Sequence, residues 1–308
     1  MIGAARVCRV PLPLLSGLVL LASACASNPP STLSESTARP AENQSLIAAP
    51  DQFFNHDEQR VRYRELGRGD PVVMLHGRGG SLEAWRWLAD SLAADYRVIA
   101  IDQRGHGQST KPVAPALYGP AMAQDVVALL DHLHIPRAHV VGFSLGAVVA
   151  AHVAANFSDR VRTAALLAGP FYADSAATAQ ATADYITEME SGRGRRESLR
   201  RLGLSDSAIT VVNARMLANS NPAALLAMTR AMGNLMIVPE RGATIRVPAL
   251  VAVGTADGLL DNSRWLASWW PGAHLVEVPG ATHGSILQRP EVLSAIRELL
   301  RAERSRER

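Results

Sequence analysis

The chain has 308 residues, of which 48% are hydrophobic and 19% charged, enough apolar sequence to bury the core of one large globular domain. Its formal net charge is +3, and removing Arg6 and Arg9 with the N-terminal leader described below leaves +1. A charge this small gives no indication of a nucleic-acid partner. The two cysteines, Cys8 and Cys25, exclude a disulfide-rich fold.

The N-terminal segment predicts export. Arg6 and Arg9 precede a run of apolar and small residues, 10–24, that is too short and too interrupted by proline to span a membrane, as is typical of a signal peptide. The sequence Leu21-Ala-Ser-Ala-Cys25 resembles a bacterial lipobox, so we expect Cys25 to become the lipidated first residue of the mature chain. Cleavage after Ala26 by the ordinary signal peptidase is the alternative. Both routes lead to the bacterial cell envelope, either lipid-anchored or periplasmic, and the lack of Asp after Cys25 favours the outer membrane.

Strands alternate with helices along the rest of the chain. Residues 52–66 predict two antiparallel strands, and five later apolar, β-branched runs predict five more. The later strands are 71–75, 96–101, 137–141, 248–253 and 274–278, and the predicted helices include 81–92, 123–133, 147–156 and 291–302. This alternation predicts a mainly parallel sheet covered by helices on both faces.

The loops after the strands 71–75 and 96–101 are rich in glycine. The first reads His76-Gly-Arg-Gly-Gly80, and we interpret His76 as structural, with its ring bonded to neighbouring backbone. The second reads Asp102-Gln-Arg-Gly-His-Gly-Gln-Ser109, and we interpret it as an architectural turn in which Asp102 and Arg104 bond to backbone groups.

The turn after strand 137–141 reads Gly142-Phe-Ser144-Leu-Gly146 and leads into the apolar helix 147–156. A serine at such a strand-to-helix turn is held in a strained backbone, with its hydroxyl presented at the top of the sheet. The pentapeptide pattern alone occurs by chance in about one chain in ten of this length. Its meaning therefore depends on what the other strand ends carry.

Two later strand ends carry a carboxylate and an imidazole. Asp257 follows strand 248–253, and His283 follows strand 274–278. An imidazole can take the proton of a serine hydroxyl that attacks a carbonyl carbon, while a carboxylate on the far ring nitrogen orients it. We assign these roles to Ser144, His283 and Asp257. Asp261, in the same loop, and Asp174, after the preceding strand, are alternatives for the acid.

The chain order Ser144, Asp257, His283 at strand ends resembles that of the α/β-hydrolase superfamily, over about residues 52–302. The resemblance implies an α/β-hydrolase fold: an eight-stranded, mainly parallel sheet with helices on both faces and an inserted helical cap. It also implies an oxyanion hole made by the backbone N–H groups of Leu145 and Arg78. We expect the Arg78 side chain to face solvent; binding of an anionic substrate group is the alternative.

The region between strands 137–141 and 248–253 contains two further patterns. Met228, Met232 and Met236 recur every four residues, so we expect one helix face packed in the core of the cap, with an adaptable pocket lining as the alternative. A basic cluster is expected to form a solvated surface, with attraction of an acidic substrate or lipid headgroup as the alternative. Its members are Arg193, Arg195, Arg196, Arg200 and Arg201.

These assignments divide the chain into a signal peptide with a lipobox-like end (1–25), a flexible tether (26–50), a hydrolase core (51–170 and 246–308) and a helical cap (171–245). The tether is rich in Ser, Pro and Ala, a composition typical of linkers.

The function predicted from these residues is hydrolysis of a small, apolar carboxylic ester through an acyl-enzyme on Ser144. Carbon–carbon bond hydrolysis and cofactor-free perhydrolysis, which use the same triad in this superfamily, are alternatives. A non-catalytic envelope protein that binds a small apolar ligand is the alternative of another class. We expect no metal and no organic cofactor, because His132, His134 and His139 lack acids or cysteines that would complete a ligand set. The expected partners are the substrate and, through lipidated Cys25, a membrane, but no nucleic acid.

Overall fold

The computed structural model of the protein describes residues 45–172, 175–192, 194–237 and 239–306. Within these ranges, eight strands form one sheet. They are β1 (Gln52–His56), β2 (Gln59–Leu66), β3 (Asp70–Leu75), β4 (Tyr96–Ile101), β5 (Ala138–Phe143), β6 (Val161–Leu167), β7 (Ala249–Gly254) and β8 (His274–Val278).

The strands lie in the order β1-β2-β4-β3-β5-β6-β7-β8. β2 pairs antiparallel with both β1 and β4, whereas the pairs from β4 to β8 are parallel. Parallel strands joined by crossovers place all their carboxyl ends at one edge of the sheet. The predicted eight-stranded, mainly parallel fold is therefore confirmed for the described residues.

Successive side chains of the central strands enter different cores, because strand residues alternate between the two faces. In β3, Val73 and Leu75 belong to the larger core, while Val72 and Met74 belong to the core on the other face. Both faces are buried, which explains why these strands are continuous apolar runs without polar alternation.

Helices cover each face of the sheet. Leu88 of α1 (Arg86–Leu92) and Ile296 of α10 (Pro290–Arg306) pack in one core. The other core receives α2 (Pro120–His132), α3 (Leu145–Asn156) and, through Leu266, α9 (Leu260–Trp269). α3 is apolar on all sides because it is buried between the sheet and its neighbours.

Between β6 and β7 the chain forms a set of helices, called here the inserted helices. They are α4 (Ser175–Glu190), α5 (Glu197–Arg201), α6 (Asp206–Asn219), α7 (Pro222–Ala231) and α8 (Pro239–Gly242). Asn221 caps α7 by accepting the N–H of Ala224 at 2.7 Å, and Pro222 occupies the first turn, as its fixed φ favours.

Two predicted helices differ in the structure. Residues 82–85 form a 3₁₀ turn before α1, and Ser81 makes no capping bond; Asp102 accepts the N–H of Leu82 at 2.7 Å instead. α7 ends at Ala231 and continues as a 3₁₀ turn, Met232–Leu235. The predicted single helix face over residues 228–236 is therefore wrong, because the helical period changes within it.

The predictions for the signal peptide, for lipidation of Cys25 and for most of the tether lie outside the described residues. Among the residues that are described, no helix combines the length and the apolar character needed to cross a bilayer.

Candidate active site

Ser144 occupies a strained turn between β5 and α3, with φ 53° and ψ −114°. A positive φ is costly for a residue with a side chain, so neighbouring contacts must hold it. Its N–H donates to the carbonyl of Leu167 at 2.9 Å. A Cβ added to Gly142 would lie 2.1 Å from the Gly146 oxygen, and one added to Gly146 would lie 1.9 Å from that of Leu75. Only glycine allows strand and helix to approach so closely on both sides of the serine.

The loops that carry Asp257 and His283 leave neighbouring parallel strands, β7 and β8, at the same edge of the sheet. The main chain ties them together, since the N–H of Ala256 donates to the carbonyl of Ala281 at 3.0 Å. A Cβ on Gly254 would lie 2.0 Å from that same oxygen. The separation between acid and imidazole is therefore set by backbone packing.

A continuous hydrogen-bonded chain joins the three predicted side chains. Nδ1 of His283 lies 2.9 Å from Oδ2 of Asp257, and Nε2 lies 3.1 Å from Oγ of Ser144. The Asp257 side chain is 0% exposed, and its other oxygen accepts the N–H of Leu259 at 3.0 Å. The ring of Phe143 packs on the imidazole with centroids 4.9 Å apart. These hydrogen bonds connect the buried carboxylate of Asp257 to the half-buried hydroxyl of Ser144.

The alternative acids are placed differently. The Asp261 side chain is 93% exposed on α9 and lies 3.3 Å from the guanidinium of Arg264. Asp174 lies outside the described residues. Of the described carboxylates, that of Asp257 is the one that bonds to His283.

The loop after β3 runs beside Ser144. Nδ1 of His76 lies 2.7 Å from the carbonyl of Gly77, and Nε2 accepts the N–H of Gln103 at 3.1 Å, so the ring bonds to backbone as expected. Burial lowers the pKa of His76, which keeps the ring neutral. A Cβ on Gly77 would lie 3.3 Å from the Ser144 Cβ. This proximity brings the backbone of Arg78 next to the serine.

The turn after β4 is built around the buried carboxylate of Asp102. It accepts the N–H groups of Leu82 and Gln108 at 2.7 and 2.8 Å, and the Arg62 guanidinium lies 2.9 Å away. A Cβ on Gly107 would lie 2.0 Å from the carboxylate. All these partners belong to the scaffold, in agreement with the architectural interpretation.

Arg104 and His106 of the same turn also have structural roles. Arg104 forms two hydrogen bonds of 2.6 Å to Asp125. His106 is fully buried, with Nδ1 3.1 Å from the Arg104 carbonyl, and burial lowers its pKa well below the usual value. Neither side chain lines the cavity beside Ser144.

A cavity of about 400 Å³ lies beside Ser144. The core contributes residues around the serine and the loop after β7, while the inserted helices contribute much of the remaining wall. Apolar lining comes from Leu145, Pro170, Leu202, Met232, Met236 and Leu259; polar and charged lining includes Arg78, Tyr172, Asp184, Tyr185, Arg195, Arg201 and Asn262.

The side chain of Arg78 does not face solvent as predicted. Its guanidinium carbon lies 4.3 Å from the centre of the Tyr185 ring, on the wall of the cavity. The cationic group stacks on the electron-rich face of the ring, which holds it inside the site. The expectation of a solvent-facing Arg78 is therefore wrong.

The basic cluster is divided between surface and cavity. Arg196 and Arg200 are exposed, and Arg200 pairs with Asp206 at 2.9 Å. Arg195 and Arg201 line the cavity, and Arg201 is exposed as well, so the expected solvated surface is wrong for Arg195 alone among the described members. Arg193 lies outside the described residues.

The three methionines also separate. Met228 and Met232 are buried in the core, as expected, and Met232 also lines the cavity together with Met236. α7 ends at Ala231 and the backbone of Met236 is extended, so Met236 does not continue the helix face that Met228 occupies.

Two further residues of the site carry no recognisable signal in the sequence. Tyr185 is nearly buried on α4 and receives both Arg78 and Arg195 on its ring. Asn262 lines the cavity and donates to the carbonyl of Phe171 at 2.6 Å. Neither lies in a motif: Tyr185 reaches the cavity through the packing of α4 on the core, whereas Asn262 lies on α9 of the core itself.

The histidines considered as metal ligands have other roles. In the described ranges, no three His, Cys, Asp or Glu side chains lie together in a group that could hold a metal ion. Nδ1 of His139 lies 2.8 Å from the Thr163 hydroxyl, and His132 stacks on Phe54. These contacts belong to the packing of the fold.

Comparison with known proteins identifies the family. The family model of the alpha/beta hydrolase fold matches residues 70–187. A pimeloyl-[acyl-carrier protein] methyl ester esterase of Chromobacterium violaceum is 32% identical over 243 residues, covering 73% of this chain and 92% of that protein. A dihydrolipoyllysine-residue acetyltransferase component of an acetoin cleaving system, from Cupriavidus necator, is 38% identical over 154 residues, or 49% of this chain; the match spans 39% of that longer protein.

A solved structure gives the same result. A thermophilic esterase from Thermogutta terrifontis, with malate bound, has a TM-score of 0.69 and 25% identity, and the match covers 83% of this chain and 99% of that one. With the match over almost the whole length of the Chromobacterium esterase, these findings show that the chain belongs to the α/β hydrolase family.

Proposed function

We propose that the protein is a serine hydrolase that cleaves carboxylic esters through an acyl-enzyme on Ser144. The observation that carries the proposal is the hydrogen-bonded chain from Asp257 through His283 to Ser144, which ends at the cavity. Nucleophile and base lie within hydrogen-bonding distance, and a carboxylate orients the base, as this chemistry requires.

The chain of bonds indicates the direction of proton transfer. With Asp257 ionised, the proton of His283 resides on Nδ1, and the lone pair of Nε2 faces Oγ of Ser144. As Oγ attacks the ester carbonyl carbon, Nε2 takes its proton and then returns it to the departing alcohol. A water molecule repeats the sequence on the acyl-enzyme, releasing the carboxylic acid and restoring the serine.

Two backbone N–H groups are proposed to stabilise the oxyanion. Leu145 is the first residue of α3, where the N–H groups lack acceptors within the helix and the helix dipole favours negative charge. The backbone of Arg78 follows Gly77, which is packed against Ser144. Donors on both sides of the nucleophile support stabilisation of a tetrahedral intermediate.

The comparisons support an ester as the substrate. The Chromobacterium relative is named as an esterase of a methyl ester, and the Thermogutta structure is named an esterase. A cavity of about 400 Å³ suits a small molecule with a short or medium acyl chain. Its lining combines apolar side chains with arginines, so the proposed ester has an apolar body without being wholly apolar.

Hydrolysis of graded p-nitrophenyl esters tests this proposal. Purified protein is expected to turn over short and medium esters, and Ser144→Ala to lower kcat by about five to six orders of magnitude while keeping the same thermal unfolding. A variant that retained most of the rate would contradict the mechanism. Labelling of Ser144 by a fluorophosphonate without turnover of any ester would favour carbon–carbon bond chemistry, and neither labelling nor turnover would favour a binding protein.

We also propose that residues 171–245 act as a cap over the site. The inserted helices place Tyr185, Arg195 and Met232 on the cavity wall, which supports a part in substrate selection. Exchange of these three side chains is expected to change the acyl-length profile more than it changes thermal unfolding.

Export and lipidation at Cys25 remain a proposal from the sequence. The short apolar run and the lipobox-like end support it. Cys25→Ser is expected to move the protein from the membrane fraction to the soluble fraction of the envelope. Unchanged fractionation would contradict lipidation as the anchor.

A further inference from the structure

Two arginines of the cavity wall, Arg78 and Arg195, form no ion pair with any carboxylate of the described residues. Arg78 and Arg195 place their guanidinium carbons 4.3 and 4.9 Å from the centre of the same ring, that of Tyr185. Apart from this ring, the Arg195 side chain bonds to the hydroxyl of Ser198 at 3.3 Å. Among the residues that the structure describes, no carboxylate forms an ion pair with either arginine.

The nearby acids are engaged elsewhere. Asp184 pairs with Arg201 at 3.3 Å. The carboxylate of Glu188 accepts the backbone N–H groups of Glu197 and Ser198, the latter at 3.1 Å, at the start of α5. Neither acid forms an ion pair with Arg78 or Arg195, although the charge of Glu188 offsets part of that of Arg195.

Such an arrangement is unfavourable without an anion. Like charges repel each other, and partial removal from water raises the cost of each charge. Burial lowers the pKa of Arg195, and the charge of Arg78 acts in the same direction, while Tyr185 and Glu188 oppose the shift without cancelling it. Stacking on Tyr185 compensates only in part, because a neutral ring attracts a cation less strongly than a carboxylate does. A bound anion would satisfy both guanidinium groups together.

We propose that Arg78 and Arg195 form an anion subsite, and that the substrate is an ester that also carries a free carboxylate. This inference rests on the proposed ester hydrolase function. The backbone N–H of Arg78 serves the reacting carbonyl while its guanidinium holds the distant carboxylate. Leu202, Met232 and Met236, on the same cavity wall, contact the apolar segment between the two groups.

A pair of esters that differ in one charge tests the subsite. p-Nitrophenyl hydrogen glutarate carries a free carboxylate on the acyl side, and p-nitrophenyl methyl glutarate is its neutral counterpart. The protein is expected to give the larger kcat/KM with the charged ester. Arg195→Gln should lower this preference by about 10- to 100-fold, the range expected for hydrogen bonds to charged groups. Arg196→Gln removes the same charge at an exposed position outside the cavity and should leave the preference unchanged.

A second pair of esters locates the charge. 3-Carboxypropyl butyrate carries its carboxylate on the alcohol side, and pentyl butyrate is the neutral counterpart. A preference of the protein for either charged ester that depends on Arg195 supports the subsite and shows which side of the substrate it binds. No such preference in either pair overturns the proposal.

Inhibition gives a test that needs no variant. Glutarate is expected to inhibit hydrolysis of p-nitrophenyl butyrate at concentrations at which neutral glutaramide does not, and equal inhibition by the two would overturn the subsite. Calorimetry of glutarate binding to Ser144→Ala, with and without Arg195→Gln, separates the two proposals. Binding that depends on Arg195 supports the subsite even if no ester is turned over, in which case the ester hydrolase function fails. Serine-dependent turnover of neutral esters with no effect of Arg195 overturns the subsite and leaves that function intact.

Discussion

Two buried aspartates, Asp102 and Asp257, follow strand ends at the same edge of the sheet, and both side chains are 0% exposed. The partners of Asp102 are backbone N–H groups and Arg62, all within the scaffold. Asp257 bonds to one backbone N–H and to His283, whose other nitrogen reaches Ser144 at the cavity. A structural carboxylate and a candidate catalytic one can therefore both be buried at a strand end. They differ in their hydrogen-bond partners: those of Asp102 lie in the scaffold, whereas His283 connects Asp257 to Ser144.

The partners also differ in whether their charge can change. Arg62 remains protonated at any ordinary pH, so Asp102 has a fixed counter-charge that stabilises the turn. An imidazole gains and loses a proton near neutrality, so the partner of Asp257 can become charged during a reaction. We expect substitutions of Asp102 to lower the stability of the fold and substitutions of Asp257 to lower the reaction rate.

Of the substitutions that separate the two aspartates, Asp257→Asn is expected to have the largest effect, and that effect is on the reaction. The amide cannot hold the imidazole in the required tautomer, so kcat should fall by about 10⁴-fold with little change in Tm. Ester hydrolysis and thermal unfolding measure the two quantities. Asp261→Asn, on the exposed acid of α9, is the matched control and should keep the full rate. Greater damage from the control would show that the acid was wrongly assigned.

Asp102→Ala should instead lower the free energy of unfolding, by about 3–5 kcal/mol. It leaves the buried guanidinium of Arg62 without one of its carboxylates and the N–H groups of Leu82 and Gln108 without an acceptor. Urea denaturation measures the loss, with Asp159→Ala at an exposed position as the control. A change below about 1 kcal/mol would contradict the structural role of this carboxylate.

Because several histidines are buried, we expect the free energy of unfolding to decrease in acid. Burial lowers the pKa of His139 from 6.5 to about 4, whereas in the unfolded chain it returns to its ordinary value. As pH falls from 6.5 to 4, the unfolded chain therefore takes up a proton that the folded protein does not. Above pH 6.5 the neutral state of His139 contributes fully to the free energy of unfolding. About 3 kcal/mol of this free energy is lost as pH falls to 4. Burial shifts the pKa values of His76 and His106 in the same direction.

Urea denaturation from pH 4.5 to 8 measures this dependence. His139→Gln should give a shallower decline of the free energy of unfolding below pH 6.5, and the slopes of variant and parent should coincide near pH 8. Equal slopes throughout would show that His139 does not contribute.

The smallest effect is expected for Ser81→Ala. Ser81 precedes a helical turn but makes no capping bond, and the N–H of Leu82 donates to Asp102. Its loss should change stability by less than about 0.5 kcal/mol, whereas Asn221→Ala removes a capping bond and should cost about 1 kcal/mol. Comparison of the two Tm values tests the difference; an equal loss would mean that Ser81 does cap the turn.

Much of the core could be predicted because its signals are local. β4 and β8 have the predicted bounds, and β3, β5 and β7 differ by one or two residues, since buried parallel strands are continuous apolar runs. The residues Ser144, Asp257 and His283 were identifiable because each follows such a run. The distances between these side chains could not be predicted, because they depend on the order of β5, β7 and β8 across the sheet.

The inserted helices were less predictable because tertiary packing decides them. Arg78 and Arg195 are far apart in sequence and meet only on the ring of Tyr185, so no local pattern indicates that both face the cavity. The end of α7, by contrast, could have been predicted from the sequence. Gly233 and Asn234 are weak helix formers, and they favour the 3₁₀ turn that separates Met232 from the helix of Met228.

The backbone hydrogen bond between Ala256 and Ala281 has a consequence for protein engineering. Because main-chain atoms alone form it, side-chain exchanges elsewhere on the cavity wall remove none of its atoms, provided that residue 254 remains glycine. Randomised libraries directed at Met232 and Met236, which lie outside both loops, are therefore expected to keep the spacing between Asp257 and His283. Selectivity and reaction chemistry are thus separable targets for directed evolution in this scaffold.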